Sequence, residues 1–213
     1  MTKVTKVRFR FAKCGDLRLV SHHDIMRCLE RMLRRAQIPM ALSHGFNPRP
    51  KIIFALALGV GIEGRSEVVD LELSEACEPS ELLRSLRTVA PPGFDWNDAR
   101  PLPPDARPPR PRTVEYCIPV PADRRLAAEL RLQSLLASAS WPFTRRRPQR
   151  ESTFDLRTQL IGAELTAEGL LRFRLKVSPD GSARPEELLE ALALRDLLDC
   201  GAVLSRTDME LDR

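Results

Sequence analysis

The chain has 213 residues, 43% of them hydrophobic, and a net charge of +5; this is the size of one large or two small domains and excludes a disordered chain. Its longest apolar runs, 52–58 and 188–194, are too short or too charged to cross a bilayer. No secretory h-region follows Met1, and Cys14, Cys28, Cys77, Cys117 and Cys200 form no C-x-x-C pair. The expectation is a cytoplasmic protein with reduced thiols, no membrane span, no zinc site and no cofactor of its own.

In chain order, Val4 to Phe11 alternates at period two and predicts a strand. Ser21 to Gln37 predicts a helix with Ile25, Cys28, Leu29, Met32 and Ala36 on one face, Ser21 as N-cap with Asp24 three residues on, and Ile38-Pro39 as its end. Lys51 to Leu58 and Glu67 to Leu73 read as a hairpin through Gly59, Gly61 and Gly64. Pro79 to Ala90 follows as a helix and Phe94 to Arg100 as a last strand. Six prolines between Pro101 and Pro111 predict a semi-rigid extended spacer.

The same order of elements repeats after it. Thr113 to Val120 is a strand, and Asp123 to Ser138 a helix with Leu126, Leu130 and Leu135 or Leu136 inward. Phe154 to Leu165 and Leu170 to Val177 pair as strands, Arg184 to Leu198 is a helix with Pro185 in its first turn, and Ala202 to Leu211 closes the unit. Two βαββαβ units predict an α+β protein of two tandem ferredoxin-like domains, residues 1–100 and 113–213, joined by a linker at 101–112. The alternative is one mixed α+β domain with a proline-rich excursion.

Charge points to function. Residues 1–51 carry twelve Lys/Arg against three Asp/Glu, and 107–157 eleven against five, while the intervening and final blocks are acidic; such asymmetry steers a polyanion to particular faces. Arg27, Arg31, Arg34 and Arg35 lie opposite the apolar face of the first helix as a cationic stripe, and Lys13, Arg18, Arg49 and Lys51 add to it from loops. The loop Ser43-His44-Gly45-Phe46-Asn47-Pro48-Arg49-Pro50-Lys51 is stiffened by its two prolines and gathers a ring, an amide and two cations. It reads as an anion or RNA-backbone site in which Phe46 either stacks on an unpaired base or plugs the sheet edge; the structural alternative is a rigid connection with solvated charges. Arg145, Arg146, Arg147 and Arg150, running on to Arg157 and flanked by Trp141, Phe143 and Phe154, form a second nucleic-acid-like cluster, the alternative being a mobile solvated loop. His22 and His44, with Lys51, are the residues that metal-free general acid/base cleavage of RNA would use, against the simpler reading of His22 as a capping or packing residue of the helix. P-loop, Rossmann, zinc-protease and nucleophile-elbow patterns are absent from the sequence.

Val7-Arg8-Phe9-Arg10-Phe11 with Lys13, Gly15-Asp16-Leu17-Arg18, Ser21-His22-His23-Asp24, Arg27, Arg34-Arg35-Ala36 and Gly45 to Lys51 resemble the radical SAM-linked protein family, a domain of unknown function. Asp155-Leu156-Arg157 resembles a motif in its second half. His23 departs from the pattern, where a Leu is usual, so His22 is the residue to which a family role would fall. The resemblance implies a partner, a B12-binding-type radical SAM enzyme to which such domains are fused or beside which they are encoded, and an RNA-related setting. The chain has no C-x-x-x-C-x-x-C cluster motif and would borrow that chemistry. The leading expectation is an accessory protein that binds tRNA or rRNA for such an enzyme. Arg27, Arg31, Arg34, Arg35, Arg49 and Lys51 would meet the backbone, with Arg145, Arg146, Arg147 and Arg157 as the second cluster, and Phe46 and Asn47 would lie near bases. The alternatives are an endoribonuclease built on His22 and His44, and a protein-binding adaptor with no RNA.

Overall fold

The computed structural model describes residues 4–147, 150–179 and 181–212. The chain parts into two compact units, one running up to Pro111 and taking in the C-terminal end from Leu211, the other spanning Arg112–Glu210. Both mix helices with antiparallel strands. No helix among the described residues is long and apolar enough to cross a membrane.

The first unit contains β1 (Val4–Lys13), a 3-10 turn (Gly15–Leu19), α1 (His22–Arg35), β2 (Ile52–Phe54), β3 (Glu63–Cys77), α2 (Pro79–Val89) and β4 (Phe94–Leu102). β1 lies antiparallel between β3 and β4, with Phe9 opposite Val69 and Ala99, and β2 pairs the far side of β3, giving the order β4-β1-β3-β2. Alternation puts Val7, Phe9 and Phe11 of β1 and Val69, Leu71 and Leu73 of β3 on one face. Ile25, Leu29, Met32 and Leu33 of α1 and Leu82 and Leu86 of α2 cover it. Phe11 stacks on Phe94 at 4.8 Å, and Trp96 meets Phe9 edge-on at 5.2 Å.

Ser21 caps α1, its Oγ accepting from the Asp24 N–H at 3.2 Å and donating to the Asp24 carboxylate at 2.7 Å. The helix stops at Arg35 rather than Gln37, because Gln37 takes a left-handed φ of 55° and the Ile38 N–H returns to the Leu33 carbonyl at 3.0 Å. The predicted strand Lys51 to Leu58 shortens to three residues: past Phe54 the chain leaves the sheet to bury Leu58 and Ile62. β3 is longer than its apolar run because β1 pairs with it from Cys77 down to Gly64. A Cβ at Gly64 would meet the Glu67 side chain at 2.5 Å, so a larger residue there would force that side chain to shift. β4 runs to Leu102, past the predicted end at Arg100, and takes in Pro101 opposite Val7; an edge strand tolerates the missing donor.

The second unit contains β5 (Pro111–Pro119), α3 (Ala122–Ala137), β6 (Pro142–Arg147), β7 (Arg150–Asp155), the single turn α4 (Leu156–Gln159), β8 (Leu160–Leu165), β9 (Leu170–Lys176), α5 (Pro185–Ala191), α6 (Asp196–Asp199) and β10 (Ser205–Leu211). Its strands run in the order β10-β5-β9-β8. Tyr116 of β5 stacks on Phe173 of β9 at 5.5 Å in a core completed by Leu132, Leu135, Leu188 and Leu189.

The predictions for this unit are corrected at several points. The predicted strand Phe154 to Leu165 is two strands split by α4: Asp155 accepts from the Trp141 and Arg157 N–H groups, both at 2.9 Å, and turns the chain. The arginine-rich stretch, to which no strand was assigned from sequence, forms the β6–β7 hairpin, held by Phe143 against Phe154 and Thr144 against Thr153. Leu135 is buried as predicted, but Leu126 and Leu130 are 73% and 59% exposed, and Ala128 and Leu132 face the core in their place. Arg124, bonded to Asp196 at 2.8 Å, and Arg125, bonded to the Val120 and Glu168 carbonyls, fix that rotation. The last predicted helix is α5 and α6, parted where Ala193 adopts a φ of 55°, and β10 starts three residues later than Ala202.

Candidate nucleic-acid interface

Because α1 buries one stripe, its opposite face must carry the polar residues. Arg27, Arg31, Arg34 and Arg35 are all exposed there. Arg27 lies 3.5 Å from Asp24, one turn back. Among the described residues, Arg31, Arg34 and Arg35 have no ion-pair partner. Arg34 and Arg35 occupy the last turn, where the helix dipole is negative and favours cations.

Five residues after Arg35, Met40 bridges to Leu73 of β3 and the next loop begins. Its neck is closed by backbone. The Ala41 N–H donates to the Glu72 carbonyl, the Lys51 N–H to the Ala41 carbonyl and the Ser43 N–H to the Arg49 carbonyl, at 2.8–2.9 Å. The Arg49 N–H donates back to the Ser43 Oγ at 3.0 Å, and Leu42 bridges to Pro50. Beyond this closure stands a five-residue tip, His44 to Pro48, every residue of it exposed, with Gly45 at a φ of 127° that favours glycine. Phe46 is fully exposed at its crest. Asn47 and Arg49 are exposed beside it.

Lys51, expected to add to the cationic stripe, is paired with a carboxylate. Its Nζ donates to the Glu72 carboxylate at 2.8 Å, across the strand pairing that anchors the neck. Lys13 departs further: it is 2% exposed and its Nζ donates to the Val20 carbonyl at 2.9 Å. Its parity was readable, since it continues the inward series Val7, Phe9, Phe11.

His22 packs edge-on against Phe54, ring centroids 5.0 Å apart. It lines a small cleft with Lys13, Glu67, Phe11, Ile25 and Leu58, which takes in neither His44 nor Lys51. His44 is out in the exposed tip. The structure therefore brings His22 to two buried charged residues that sequence reasoning did not join to it.

In the second unit, Arg145 gives two bonds to the Glu187 carboxylate and one to the Ser182 carbonyl, and its guanidinium lies 5.0 Å over the Phe154 ring. Burial would raise the Glu187 carboxyl, but the Arg145 guanidinium and the Arg184 N–H hold it below the usual carboxylate range. Arg146 faces Glu151 at 3.3 Å in solvent. The Arg157 Nη1 donates to the Leu160 carbonyl at 3.2 Å. The side chain of Arg147 lies outside the described residues. Arg145 and Arg157 thus serve the fold, and the exposed cations of this cluster are fewer than its composition suggests.

Residues 6–185 match a family described as "Uncharacterized protein conserved in bacteria (DUF2344)". The chain belongs to this family. The DUF2344 match takes in α1, the neck and the tip, together with the β6–β7 hairpin. Comparison with curated proteins yields no match. Among solved structures, the crystal structure of a Cbf5-Nop10-Gar1 complex is similar at 15% identity and a TM-score of 0.46, covering 96% of this chain and 49% of that chain. The chain thus spans about half the length of that structure's chain.

Proposed function

We propose that this chain is an accessory protein that binds RNA, a tRNA or rRNA, on behalf of a radical SAM enzyme, through α1 and the tip of the loop that follows it. The observation that carries the reading is the fully exposed ring of Phe46 on a hydrogen-bonded neck, close in sequence to a helix that ends in Arg31, Arg34 and Arg35 without carboxylate partners. Water gains nothing from a ring displayed in this way, whereas a polyanion with planar faces is matched by both features at once. In this reading Arg27, Arg31, Arg34, Arg35 and Arg49 meet phosphates, Phe46 and Asn47 meet bases, and Lys51 holds the neck in place.

The strand orders β4-β1-β3-β2 and β10-β5-β9-β8 support the further proposal that the two units are tandem ferredoxin-like domains. The resemblance of residues 7–51 to radical SAM-linked proteins supports the choice of partner. With no two cysteines closer in sequence than Cys14 and Cys28, the partner would bring the iron–sulfur cluster.

The test is binding of total tRNA and rRNA fragments by fluorescence anisotropy, with the Arg31→Glu/Arg35→Glu double variant alongside the unaltered protein. The variant is expected to bind about 10-fold or more weakly with its circular dichroism unchanged. Equal affinity would overturn the reading, and RNA cleavage that is lost in His22→Ala would replace it with the nuclease alternative.

A further inference from the structure

Resting on the RNA reading above, we infer that the tip seizes an unpaired base, in an RNA loop or bulge, and does not read a duplex. The ring decides this. Phe46 is wholly exposed, so both faces are open to a flat partner. A base inside an A-form helix has its faces stacked on its neighbours, and the deep, narrow major groove admits no side chain; an unstacked base offers a face. Stacking on an aromatic side chain is sequence-tolerant, and it strengthens binding about 5- to 150-fold per base.

The surroundings of the ring fit one nucleotide. Asn47, adjacent and exposed, offers both a donor and an acceptor to a base edge. Arg49 supplies an exposed cation at the neck, and residues 42–50 include no carboxylate to repel a phosphate. The neck bonds of Ser43 and Arg49 fix the base of the tip before any ligand arrives, so little ordering is left to oppose binding. The α1 arginines complete the match: at 1.5 Å per residue, Arg27 to Arg35 extends about 12 Å, room for several phosphates of the strand that carries the base.

The experiment compares a stem-loop RNA with 2-aminopurine in its loop and a blunt duplex of the same stem, at one salt concentration. The unaltered protein is expected to bind the stem-loop about 10-fold or more tightly than the duplex and to change the 2-aminopurine emission. Phe46→Ala should fall to duplex-level affinity for both, Phe46→Trp should restore the preference, and Arg31→Glu/Arg35→Glu should weaken both RNAs alike. Equal affinity of the unaltered protein for the two RNAs, or a preference kept by Phe46→Ala, overturns this inference while leaving RNA binding in place. Binding to neither RNA overturns both.

Discussion

Phe11 and Phe46 are one kind of side chain in opposite surroundings. Phe11 is buried among Phe94, Trp96 and Phe54; Phe11→Ala should cost about 3–5 kcal/mol. Phe46→Ala should cost about 0.5 kcal/mol or less, as for other exposed positions. Urea unfolding of the two variants checks this, and a comparable loss in both would place Phe46 in the core and remove the site. Gly93 marks the other extreme of constraint. Its φ is 82°, and a Cβ there would come within 2.5 Å of the Cys14 carbonyl oxygen, part of a backbone that cannot swing away. Gly93→Ala is therefore expected to destabilise by roughly 1–3 kcal/mol in the same measurement. The exposed loop around Phe46 was legible in the sequence because glycine and prolines surround it, whereas the partners of Lys13 and Lys51, the Val20 carbonyl and the Glu72 carboxylate, were not. A count of charges carries no information on which carboxylate or carbonyl the folded strands place beside a lysine.

At the level of elements, the β6–β7 hairpin is tied to α5 through Arg145 and Glu187. The folded carboxyl of Glu187 lies below its ordinary value of 4.5, so the stabilisation is whole above about pH 4.5 and is lost as the pH falls through the lower, folded value. Glu187→Gln should lower stability at neutral pH by on the order of 3 kcal/mol, because Arg145 is left without its charge partner. It should also blunt the loss of stability between pH 6 and pH 3. Identical acid profiles for the two proteins would show that the pair does not couple to folding. Elements with a strong period and a local stop signal were legible: α1 has its Ser21 cap and a continuous apolar stripe. The hairpin was not, because its strands pair through threonines and arginines that read as a solvated loop. In α3 two stripes share the helical period, and the one that is buried includes Ala128, less hydrophobic than the exposed Leu126 and Leu130. Residue type alone could not choose between them; the tethers from Arg124 and Arg125 did. The break at Ala193 carries no glycine or proline to announce it.

For the molecule as a whole, a net charge of +5 would give weak, unspecific attraction to any polyanion. A localised site gives something sharper, a steep dependence on salt that falls with each lost phosphate contact. Arg31→Glu/Arg35→Glu should reduce the slope of log affinity against log salt by about 1.4 for a single strand, two contacts at roughly 0.7 each. Anisotropy at four salt concentrations measures it. A weakened affinity with the slope unchanged would mean that the arginines do not touch phosphate.

The neck of the loop has a consequence for how such a protein could change its target. Its closure rests on backbone N–H and C=O groups and on the Ser43 hydroxyl and the Lys51–Glu72 pair, none of which belongs to residues 44–48. Those five residues behave as an interchangeable cartridge: a lineage, or an engineer, can rewrite them to address a different nucleotide while the scaffold beneath folds as before.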